Sequence, residues 1–438
     1  MIKTLSILPI YQAASAAFAP LSPLVLYCRR KLRHDDYDRD GERLGRPSEP
    51  RPPGPLAWLH GASVGESLAL LPLVERLAAR GLTILVSTGT SAAAAVIVPR
   101  LPAGALHQFL PLDVPQFLAR FLDYWRPDLA LIADSEIWPN LFLATRRRKI
   151  PLLLINARIS QSSFQRWRWF PRFIATVLAN VDLCLAQSEA DAERFALLGV
   201  RHVKVAGNLK YDVNAPPADR QSLAALAVRI GSRPVWVAAS THRGEEEIVL
   251  AAHQAMEQTI PGLLTIIIPR HARRGAEIAG LAAARGFAVA QRSSEFEVDE
   301  NALPDIYVAD TNGELGLFYR LTGIALLGKS LLPSLSGGQN PIEAAKLGCA
   351  ILHGPNVANF EPIYRALDDA RGAVPVADAD TIARVVAILL ADAGRLRLMG
   401  RAASETVKSL GGACDRIMSA IEPHIAQLSI ESRQQPMN

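Results

Sequence analysis

From residue 56 onward the chain alternates short apolar runs with longer segments in which apolar residues recur at helical spacing. The amphipathic segments, such as 68–80 and 191–198, predict helices. The apolar runs predict strands at 56–60, 82–87, 129–133, 152–156, 183–186 and 203–206, and again at 235–239, 264–268, 288–290, 306–308, 324–327 and 350–353. Regular alternation of strand and helix is typical of α/β proteins with a parallel sheet.

Two stretches interrupt this alternation and predict the domain boundaries. Residues 34–55 are charged and then proline-rich, and residues 212–220 are polar with two adjacent prolines, so both are predicted to be linkers. A chain of 438 residues exceeds the size of a single hydrophobic core. We therefore predict two Rossmann-like, doubly wound domains, at 56–211 and 221–425, and a tail at 426–438. Ligands bind outside the carboxyl ends of strands in open parallel sheets, so we expect the two domains to face one cleft.

The N-terminal segment differs because residues 5–27 are almost entirely apolar. Their length suits a membrane span of about 20 residues, although three prolines disfavour one straight helix. Basic residues cluster between 29 and 33, which predicts that the following chain lies on the cytoplasmic side and disfavours a cleaved signal peptide. We predict a membrane anchor at 1–33, either spanning or lying on the bilayer. A buried N-terminal helix is the alternative.

Composition narrows the class of partners. Lys and Arg outnumber Asp and Glu by 47 to 42, a mild excess that suits anionic ligands or an anionic membrane face. No basic and aromatic motif of a nucleic-acid-binding module is present. The four cysteines are scattered, without the spacing of a zinc site or a disulfide framework, so a reducing compartment fits best.

In the first half, acidic and basic residues follow predicted strands. Glu66 lies on the turn after strand 56–60, where it either caps a helix or acts as a general base. Asp134 and Glu136 follow strand 129–133, and they are either solvated loop acids or part of a site. Lys210 follows the last strand of this half and would balance an acid or bind an anionic group.

The second half repeats this pattern at three further turns. Arg270 is a suitable phosphate or carboxylate ligand because it directly follows a strand, and Gly313 would allow close approach of a phosphate or base. The residues at these turns are Ser240 and His242, then Pro269, Arg270 and His271, and then Asn312, Gly313 and Glu314.

A glycine-rich turn, Gly337 and Gly338, leads into a predicted helix start. Asn340 is the predicted N-cap, followed by Pro341, Ile342 and Glu343 in the first turn. Free backbone N–H groups at such a start hold phosphate, and the Glu343 carboxylate would accept from a ribose diol. An ordinary capped helix is the alternative.

Together these turns resemble the Kdo transferases of lipopolysaccharide assembly, which have the glycosyltransferase-B fold. The resemblance runs through nearly the whole chain, on the segments 58–66, 111–113, 136–140, 156–160, 207–210, 240–246, 269–271, 310–315, 337–343, 354–355 and 359–360. It implies transfer of 3-deoxy-D-manno-octulosonic acid (Kdo) from CMP-Kdo to a lipid A precursor, lipid IVA, at the inner membrane.

The resemblance also implies roles for individual residues. Glu66 matches the proton acceptor and Lys210 a position that stabilises the transition state, with Asp134 beside them as a third catalytic residue. The CMP-contacting positions match Pro269, Arg270, Asn312, Gly313, Glu314, Asn340, Pro341, Ile342 and Glu343. Further donor or acceptor contacts are expected at Glu136, Ser240, His242, His271, Gly337 and Gly338.

This chain departs from the family pattern at four positions, which puts the contacts there in doubt. Asp134 stands where the family usually has Glu, Gln339 where it commonly has His, Lys329 where it commonly has Gly, and Asn312 where it commonly has Met.

The implied chemistry is an inverting transfer in which Glu66 deprotonates the attacking hydroxyl. Arg270 and helix N–H groups would stabilise the departing CMP, so no metal or other cofactor is expected. The alternatives are a glycosyltransferase-B enzyme that uses a UDP-sugar and a lipid acceptor, a sugar-nucleotide epimerase of the same fold, and a non-catalytic nucleotide-binding membrane scaffold.

Overall fold

The computed structural model of the chain describes residues 7–33, 39–297, 304–335 and 337–434. The chain forms two compact units. Unit 1 contains Met1–Val213 and Gly411–Asn438, and unit 2 contains Asn214–Leu410. The boundary at Val213 falls inside the predicted linker 212–220.

Unit 1 contains one sheet of seven parallel strands in the order β3-β2-β1-β4-β5-β6-β7. The strands are β1 (Leu56–Gly61), β2 (Thr83–Thr88), β3 (Leu106–Phe109), β4 (Leu129–Ala133), β5 (Leu152–Ala157), β6 (Leu183–Ala186) and β7 (Val203–Val205). Its first ten helices are α1 (Ile7–Ala17), α2 (Ser22–Arg33), α3 (Asp40–Arg43), α4 (Val64–Ala79), α5 (Ser91–Ile97), α6 (Pro115–Trp125), α7 (Pro139–Arg147), α8 (Gln161–Trp167), α9 (Pro171–Leu178) and α10 (Glu189–Leu197).

Both faces of this sheet are covered, which explains why its strands are apolar without interruption. Side chains alternate across a strand, so Trp58 of β1 joins one buried cluster and Leu59 joins the other. In β4, Ile132 and Leu131 divide between the clusters in the same way. A parallel sheet covered by helices on both faces has this pattern.

Unit 2 repeats the architecture with strand order β10-β11-β9-β8-β12-β13-β14. The strands are β8 (Val235–Thr241), β9 (Leu264–Pro269), β10 (Val289–Gln291), β11 (Ile306–Val308), β12 (Ile324–Leu327), β13 (Ala350–His353) and β14 (Ala373–Pro375). The helices are α11 (Arg220–Ile230), α12 (Glu245–Glu257), α13 (Gly275–Ala283), α14 (Leu315–Leu321), α15 (Ile342–Lys346), α16 (Glu361–Asp369), α17 (Ala379–Ala391) and α18 (Ala393–Ser409). The predicted pair of α/β domains with parallel sheets is confirmed.

Two strands, β3 and β14, were not predicted. Polar residues interrupt the apolar run of β3, but they are buried in the fold, where His107 lies beside Thr88 and Gln108 accepts from the Trp125 indole at 2.5 Å. At β14 the run is short and ends at Pro375, which cannot donate to a ladder.

The predicted linker 34–55 begins in residues 34–38, which lie outside the described chain, but from residue 39 it is packed onto unit 1. Glu42 and Arg43 of α3 are buried. The Glu42 carboxylate accepts from the backbone N–H of Phe109 at 2.7 Å, and Arg43 donates to the Gly89 carbonyl at 3.2 Å. The linker assignment is therefore corrected for this part, because its charged side chains satisfy backbone groups at the end of the sheet.

The apolar N-terminal segment forms two helices separated by a 3₁₀ turn at Ala19–Leu21. In α1, Leu8 is buried and the Tyr11 hydroxyl donates to Asp113 at 2.8 Å, so this helix rests on unit 1. Within the described residues, every helix is too short or too polar to cross a bilayer.

The C-terminal domain was predicted to extend to residue 425, and this prediction is wrong. Unit 2 ends at Leu410, and the following helix, α19 (Ala413–Gln434), packs on unit 1. Ile417 and Ile421 are fully buried in a cluster with strands of the unit 1 sheet. Asp212 fixes the start of this segment, because its carboxylate accepts from the N–H groups of Gly412 and Cys414, each at 2.6 Å. The predicted tail, 426–438, continues α19 as far as Gln434, and residues 435–438 lie outside the described chain.

Both units reverse the direction of strand addition beside their first strand, which creates a topological switch point. In unit 1 this point lies between β1 and β4, and in unit 2 it lies between β8 and β12. Loops that follow these strands leave the sheet at its carboxyl edge, where ligands bind in such folds.

The position of α19 predicts that Ile417→Ala destabilises unit 1 by about 2–5 kcal/mol, because it leaves a cavity under the sheet. Tryptophan fluorescence during chemical denaturation measures this, since five of the six tryptophans, at 58, 125, 138, 167 and 169, lie in unit 1. Ile388→Ala on α17 is the control, because Ile388 is 41% exposed and lies in unit 2. An unchanged fluorescence transition in Ile417→Ala would contradict the assignment of α19.

Candidate active site

Glu66 lies at the unit 1 switch point, in the first turn of α4. It forms a full capping box with Ser63, whose side chain accepts from the Glu66 N–H. The Glu66 carboxylate accepts from the Ala62 N–H at 2.8 Å and from the Ser63 hydroxyl at 2.7 Å. Glu66 therefore caps its helix, as the first interpretation predicted. The other interpretation, that Glu66 also acts as a general base, stays open. A carboxylate has about four lone-pair sites, so this one is fixed in place and keeps capacity for a proton.

Asp134 lies at the other side of the switch point, directly after β4, in a left-handed conformation with φ of 57°. Its Oδ1 accepts from the Asn156 amide at 2.8 Å and from the Gln187 amide at 3.1 Å. Asn156 lies near the carboxyl end of β5, and Gln187 directly follows β6, so both partners belong to the next strands of the sheet. The carboxylate is thus held by neighbouring strand ends rather than by solvent.

Burial raises the pKa of Asp134 to about 6, and the negative charge of Glu66 adds to this effect. The charges of Lys210 and Arg158 and the hydrogen bond from Asn156 act in the opposite direction. The structure therefore brings together the three predicted catalytic residues, Glu66, Asp134 and Lys210, close enough for their charges to interact.

Lys210 belongs to a short 3₁₀ turn, Leu209–Tyr211. Asn208 caps this turn by accepting from the Lys210 N–H at 3.0 Å. Asn156 accepts from the Leu209 N–H at 2.9 Å with the side chain that also donates to Asp134. One asparagine therefore sets the position of the turn relative to the carboxylate.

Glu136 follows Asp134 on the same loop. Its Oε2 accepts from the Trp138 indole at 2.8 Å and lies 3.6 Å from Nε2 of His60, a fully buried residue of β1. The Glu136 side chain is 23% exposed. It is one more carboxylate at the carboxyl edge of the sheet.

In unit 2, the loops after β8 and β12 are held by one buried carboxylate. Glu245 accepts from the His242 N–H at 3.0 Å and from the N–H groups of Lys329, Ser330 and Leu331 at 2.7 to 3.1 Å. Ser240 precedes His242 with φ of 58°. Four backbone donors on one carboxylate fix the switch-point loops of this unit.

Arg270 and His271 follow β9, whose last residue, Pro269, is buried. The rings of His271 and His242 meet edge to face with centroids 6.2 Å apart. Burial lowers the pKa of His271, and the charges of Arg270 and Arg273 lower it further. This corner of unit 2 therefore carries exposed positive charge, which suits a phosphate.

The turn that contains Asn312, Gly313 and Glu314 is only partly available to a ligand. Asn312 and Gly313 are exposed, and Gly313 has φ of 84°. The Glu314 carboxylate accepts from Arg292 at 2.9 Å and from the Thr311 hydroxyl. Burial alone would raise the pKa of Glu314, but Arg292 and Thr311 hold it below its usual value. Glu314 is thus engaged within the protein.

The glycine-rich turn before the predicted helix start uses its own backbone N–H groups within the fold. The N–H groups of Gly337, Gly338 and Gln339 donate to the carbonyls of Asn356, Lys329 and Gly328, so they are not free for a phosphate. Both glycines have positive φ, and a Cβ on Gly337 would lie 2.4 Å from the Asn359 amide. The turn needs glycine because of this close packing.

The helix after this turn begins one residue later than predicted and has only five residues, Ile342–Lys346. Pro341 is its N-cap, and Asn340 accepts from the Ile342 N–H at 3.0 Å. Pro341 and Ile342 are buried. Burial raises the pKa of Glu343, opposed by a hydrogen bond from Asn340 and the charge of Arg270. Glu343 and Arg270, which were predicted to bind one ligand, are thus close enough to interact.

Sequence reasoning missed four residues that build these sites. Asn156 lies near the end of β5 and Gln187 directly follows β6, so a search for polar residues at strand ends would have selected both. His60 is the last polar residue before the β1 turn. Glu245 could not be selected from the sequence, because the N–H groups that it binds in the β12 loop lie about 85 residues away along the chain.

Within the part of the chain that the structure describes, no group of three or more His, Cys, Asp or Glu side chains is arranged to hold a metal ion.

Comparison of the sequence with known proteins gives consistent matches. The family model described as 3-Deoxy-D-manno-octulosonic-acid transferase (kdotransferase) matches residues 38–213. The chain is 36% identical over 412 residues to the probable 3-deoxy-D-manno-octulosonic acid transferase, mitochondrial, of Arabidopsis thaliana, with 92% of each chain covered. It is 34% identical over 425 residues to the 3-deoxy-D-manno-octulosonic acid transferase of Bordetella pertussis, with 94% of this chain and 98% of the relative covered.

Solved structures are similar in fold. UDP-GlcNAc 2-epimerase from Neisseria meningitidis bound to UDP-GlcNAc matches with a TM-score of 0.57 and 14% identity, covering 84% of this chain and 99% of that chain. A glycosyltransferase from Rickettsia africae matches with a TM-score of 0.56 and 12% identity, covering 85% and 98%. At these identities the likeness shows the fold alone, which agrees with the glycosyltransferase-B-like architecture expected from the sequence.

The raised pKa of Asp134 predicts that Asp134→Asn stabilises unit 1 at neutral pH. A carboxyl group whose pKa rises on folding contributes its full stabilisation below its unfolded pKa, near 3.8. This contribution is lost progressively as pH rises through the folded pKa of about 6. The variant should therefore match the parent near pH 4 and exceed it above pH 6 by up to about 3 kcal/mol in the free energy of unfolding.

Denaturation followed by tryptophan fluorescence at several pH values measures this difference. Asp123→Asn is the control with the opposite sign, because the hydrogen bond from Arg148 lowers the pKa of Asp123. Removal of the Asp123 carboxylate in this control variant should not stabilise the protein at any pH above 4. A pH-independent gain in Asp134→Asn would contradict the origin given for its effect.

Proposed function

The chain belongs to the 3-deoxy-D-manno-octulosonic acid transferase family, and on that basis we propose that it moves Kdo from CMP-Kdo to a lipid A precursor, lipid IVA. It is a glycosyltransferase that acts in lipopolysaccharide synthesis. The observation that carries the proposal is the cluster of Glu66, Asp134 and Lys210 at the unit 1 switch point. A general base, a second acid and a cation meet there on rigid strand ends.

In the proposed reaction, an acceptor hydroxyl oxygen attacks the anomeric carbon of Kdo while the bond from that carbon to the phosphate oxygen breaks. The bonding electron pair leaves with CMP, and the hydroxyl proton passes to the Glu66 carboxylate. Attack from the face opposite to CMP inverts the configuration. A positioned base of this kind contributes about 10²- to 10⁴-fold to the rate.

The capping contacts of Glu66 support its role as the base. A carboxylate that accepts from Ala62 and Ser63 cannot swing into solvent, so its free lone pair keeps one direction. The charge of Lys210 acts against the effect of burial on the pKa of Asp134. This charge offsets part of the negative charge that an anionic donor would otherwise meet beside Glu66.

For the donor, we propose that Arg270 and His271 bind the CMP phosphate and that Glu343 accepts from the ribose hydroxyls. The Arg270 guanidinium would stabilise the growing charge on CMP, and His271, whose pKa is lowered, would donate a hydrogen bond as a neutral ring, so the proposed mechanism uses no metal. The support is the exposure of Arg270 and its charge interaction with Glu343.

We further propose that the protein lies on the cytoplasmic face of the inner membrane, with its N-terminal helices in the bilayer interface. Apolar side chains of α1, α2 and the turn between them are exposed, among them Ile10, Leu21 and Leu24 at 54 to 60%. Trp169 is 81% exposed and Phe170 is 51% exposed. A bilayer interface is the environment that such exposed aromatic and aliphatic groups favour.

These two groups of residues belong to neighbouring parts of unit 1. Tyr11 of α1 contacts Phe173 at the start of α9, with ring centroids 6.0 Å apart, and Phe173 stacks on Trp167 at 6.3 Å. Trp169 and Phe170 lie between Trp167 and Phe173 in sequence. An acceptor that is itself a bilayer lipid fits an enzyme bound in this way.

A transfer assay with CMP-Kdo and tetra-acylated lipid A precursor, read by mass spectrometry, tests donor, acceptor and stoichiometry together. We expect a mass gain of one or more Kdo units and competition by CMP but not by UDP. Transfer from a UDP-sugar instead of CMP-Kdo would overturn the proposal in favour of another lipid glycosyltransferase.

Glu66→Gln should lower turnover by about 10²- to 10⁴-fold while CMP affinity is retained, because only the proton acceptor is removed. Ser63→Ala is the matched control. It removes the capping hydroxyl, at a cost of about 1 kcal/mol in stability, and keeps the Glu66 carboxyl group with its hydrogen bond from the Ala62 N–H. If Ser63→Ala lost as much turnover as Glu66→Gln, the cap and not the base would explain the effect.

Membrane association predicts that Trp169→Ala combined with Phe170→Ala weakens binding to vesicles that contain anionic phospholipid by roughly tenfold or more, because two large apolar groups no longer leave water. Co-sedimentation with vesicles measures the partition. Val228→Ala and Leu398→Ala are controls, because these residues are 82% and 69% exposed but lie in unit 2. Equal partition of all variants would exclude this surface.

A further inference from the structure

Three side chains of the unit 1 sheet form a buried chain of polar contacts that leads to Glu136. The Trp58 indole Nε1 lies 2.8 Å from the Ser87 hydroxyl. The same hydroxyl lies 2.9 Å from Nδ1 of His60. Among the described residues, Nε2 of His60 has no hydrogen-bond partner, although the ring is fully buried, and it lies 3.6 Å from Oε2 of Glu136.

What each group can donate favours one direction for this chain. An indole N–H only donates, so the Ser87 oxygen accepts from Trp58, and the single hydroxyl hydrogen of Ser87 is available to Nδ1 of His60. A neutral imidazole whose Nδ1 accepts carries its proton on Nε2. The Nε2 proton then faces the Glu136 carboxylate.

The alternative tautomer fits less well. The Ser87 carbonyl lies 3.0 Å from Nδ1 and would accept a proton carried there. Nε2 would then turn a lone pair toward Glu136 unless the buried ring gained a second proton and a charge, which burial disfavours.

The Glu136 carboxylate is ionised at neutral pH. Burial alone would raise its pKa, but the nearby His60 ring and the Trp138 indole outweigh burial and lower it.

We propose that His60 is a positioning residue: its Nε2 proton, assigned by Ser87 and Trp58, holds Oε2 of Glu136 so that Oε1 binds a hydroxyl of the acceptor sugar. This inference rests on the proposed function. Oε1 of Glu136 makes no hydrogen bond to the described part of the chain. The Glu136 side chain is partly exposed at the sheet edge that carries Glu66 and Asp134. The 3.6 Å separation shortens when substrate binds, as hydrogen bonds of unliganded active sites do.

Variants at position 60 separate this role from packing. His60→Gln keeps an amide N–H near the place of Nε2, and His60→Leu keeps only the volume. We expect His60→Leu to raise the KM for the lipid acceptor and to lower kcat/KM by roughly tenfold or more, with the KM for CMP-Kdo unchanged. His60→Gln should recover most of that loss. Equal effects in both variants would overturn the proposal.

Ser87→Ala gives a pH signature that a structural role does not. Without the hydroxyl, the His60 proton lies on Nδ1, which donates to the backbone carbonyl of residue 87. Nε2 then carries a proton only when the ring is doubly protonated. Transfer by Ser87→Ala should therefore recover as pH falls, relative to the parent. The titratable groups on the loops around this edge, Glu66, Asp134, Glu136 and Lys210, are the same in both proteins. A parallel pH profile would contradict the relay.

Unit 2 provides a matched control for damage to the fold. There the Trp236 indole lies 2.7 Å from the Thr265 hydroxyl, which lies 2.8 Å from Nδ1 of His253. Thr265→Val removes the same kind of hydroxyl from a buried site, and His253 packs on Phe287 at 4.9 Å rather than on a carboxylate. This variant should lose stability as Ser87→Ala does but keep the acceptor KM of the parent.

Nitrogen-15 spectra of histidine-labelled protein test the inference independently of transfer. The His60 signal, assigned by its absence in His60→Gln, should show a neutral ring protonated at Nε2 in the parent and at Nδ1 in Ser87→Ala. A parent ring protonated at Nδ1 alone would overturn the relay even if Kdo transfer is confirmed. Failure of Kdo transfer with the predicted tautomer would instead count against the proposed function.

Discussion

The site of unit 1 depends on one constraint: parallel strands end at the same edge of the sheet, and the strand order reverses between β1 and β4. The loops that carry Glu66 and Asp134 therefore leave the sheet side by side. At the ends of the next two strands, the amides of Asn156 in β5 and of Gln187 just after β6 hold the Asp134 carboxylate. Two acids remain close together because the backbone of a covered sheet allows neither loop to move away.

This arrangement carries a cost that is visible in the backbone and in the charges. Asp134, Asn156, Ser240 and Lys329 all have positive φ, and all follow or end a strand at the edge where the sites lie. Positive φ is unfavourable for residues other than glycine, and such strain concentrates at functional sites. Burial of Asp134 beside Glu66 adds an electrostatic penalty, which the Asn156 amide and Lys210 partly offset. The dense polar network around these residues is what keeps the strained loops in place.

The sequence predicted the parts of this structure that depend on local pattern. Continuous apolar runs located twelve of the fourteen strands, and strand-end acids located Glu66 and Asp134. Two strands were not predicted because their apolar pattern is interrupted, by buried polar side chains in β3 and by a proline in β14. The docking of α19 on unit 1 depends on Asp212, about 200 residues away in sequence, which no local pattern records. The hydrogen bonds from the N–H groups of Gly337 and Gly338 to carbonyls of other loops are likewise tertiary contacts that no local pattern records. The shared cleft between the units stays a prediction.

The central claim is that Glu66 takes the proton from the acceptor hydroxyl. The most direct measurement is a crystal structure of the protein with a non-transferable CMP-Kdo analogue and the lipid A precursor. The account predicts that the nucleophilic hydroxyl lies about 2.6–3.2 Å from a Glu66 carboxylate oxygen. A hydroxyl that lies within that distance of another carboxylate, with Glu66 making only its capping contacts, would contradict it.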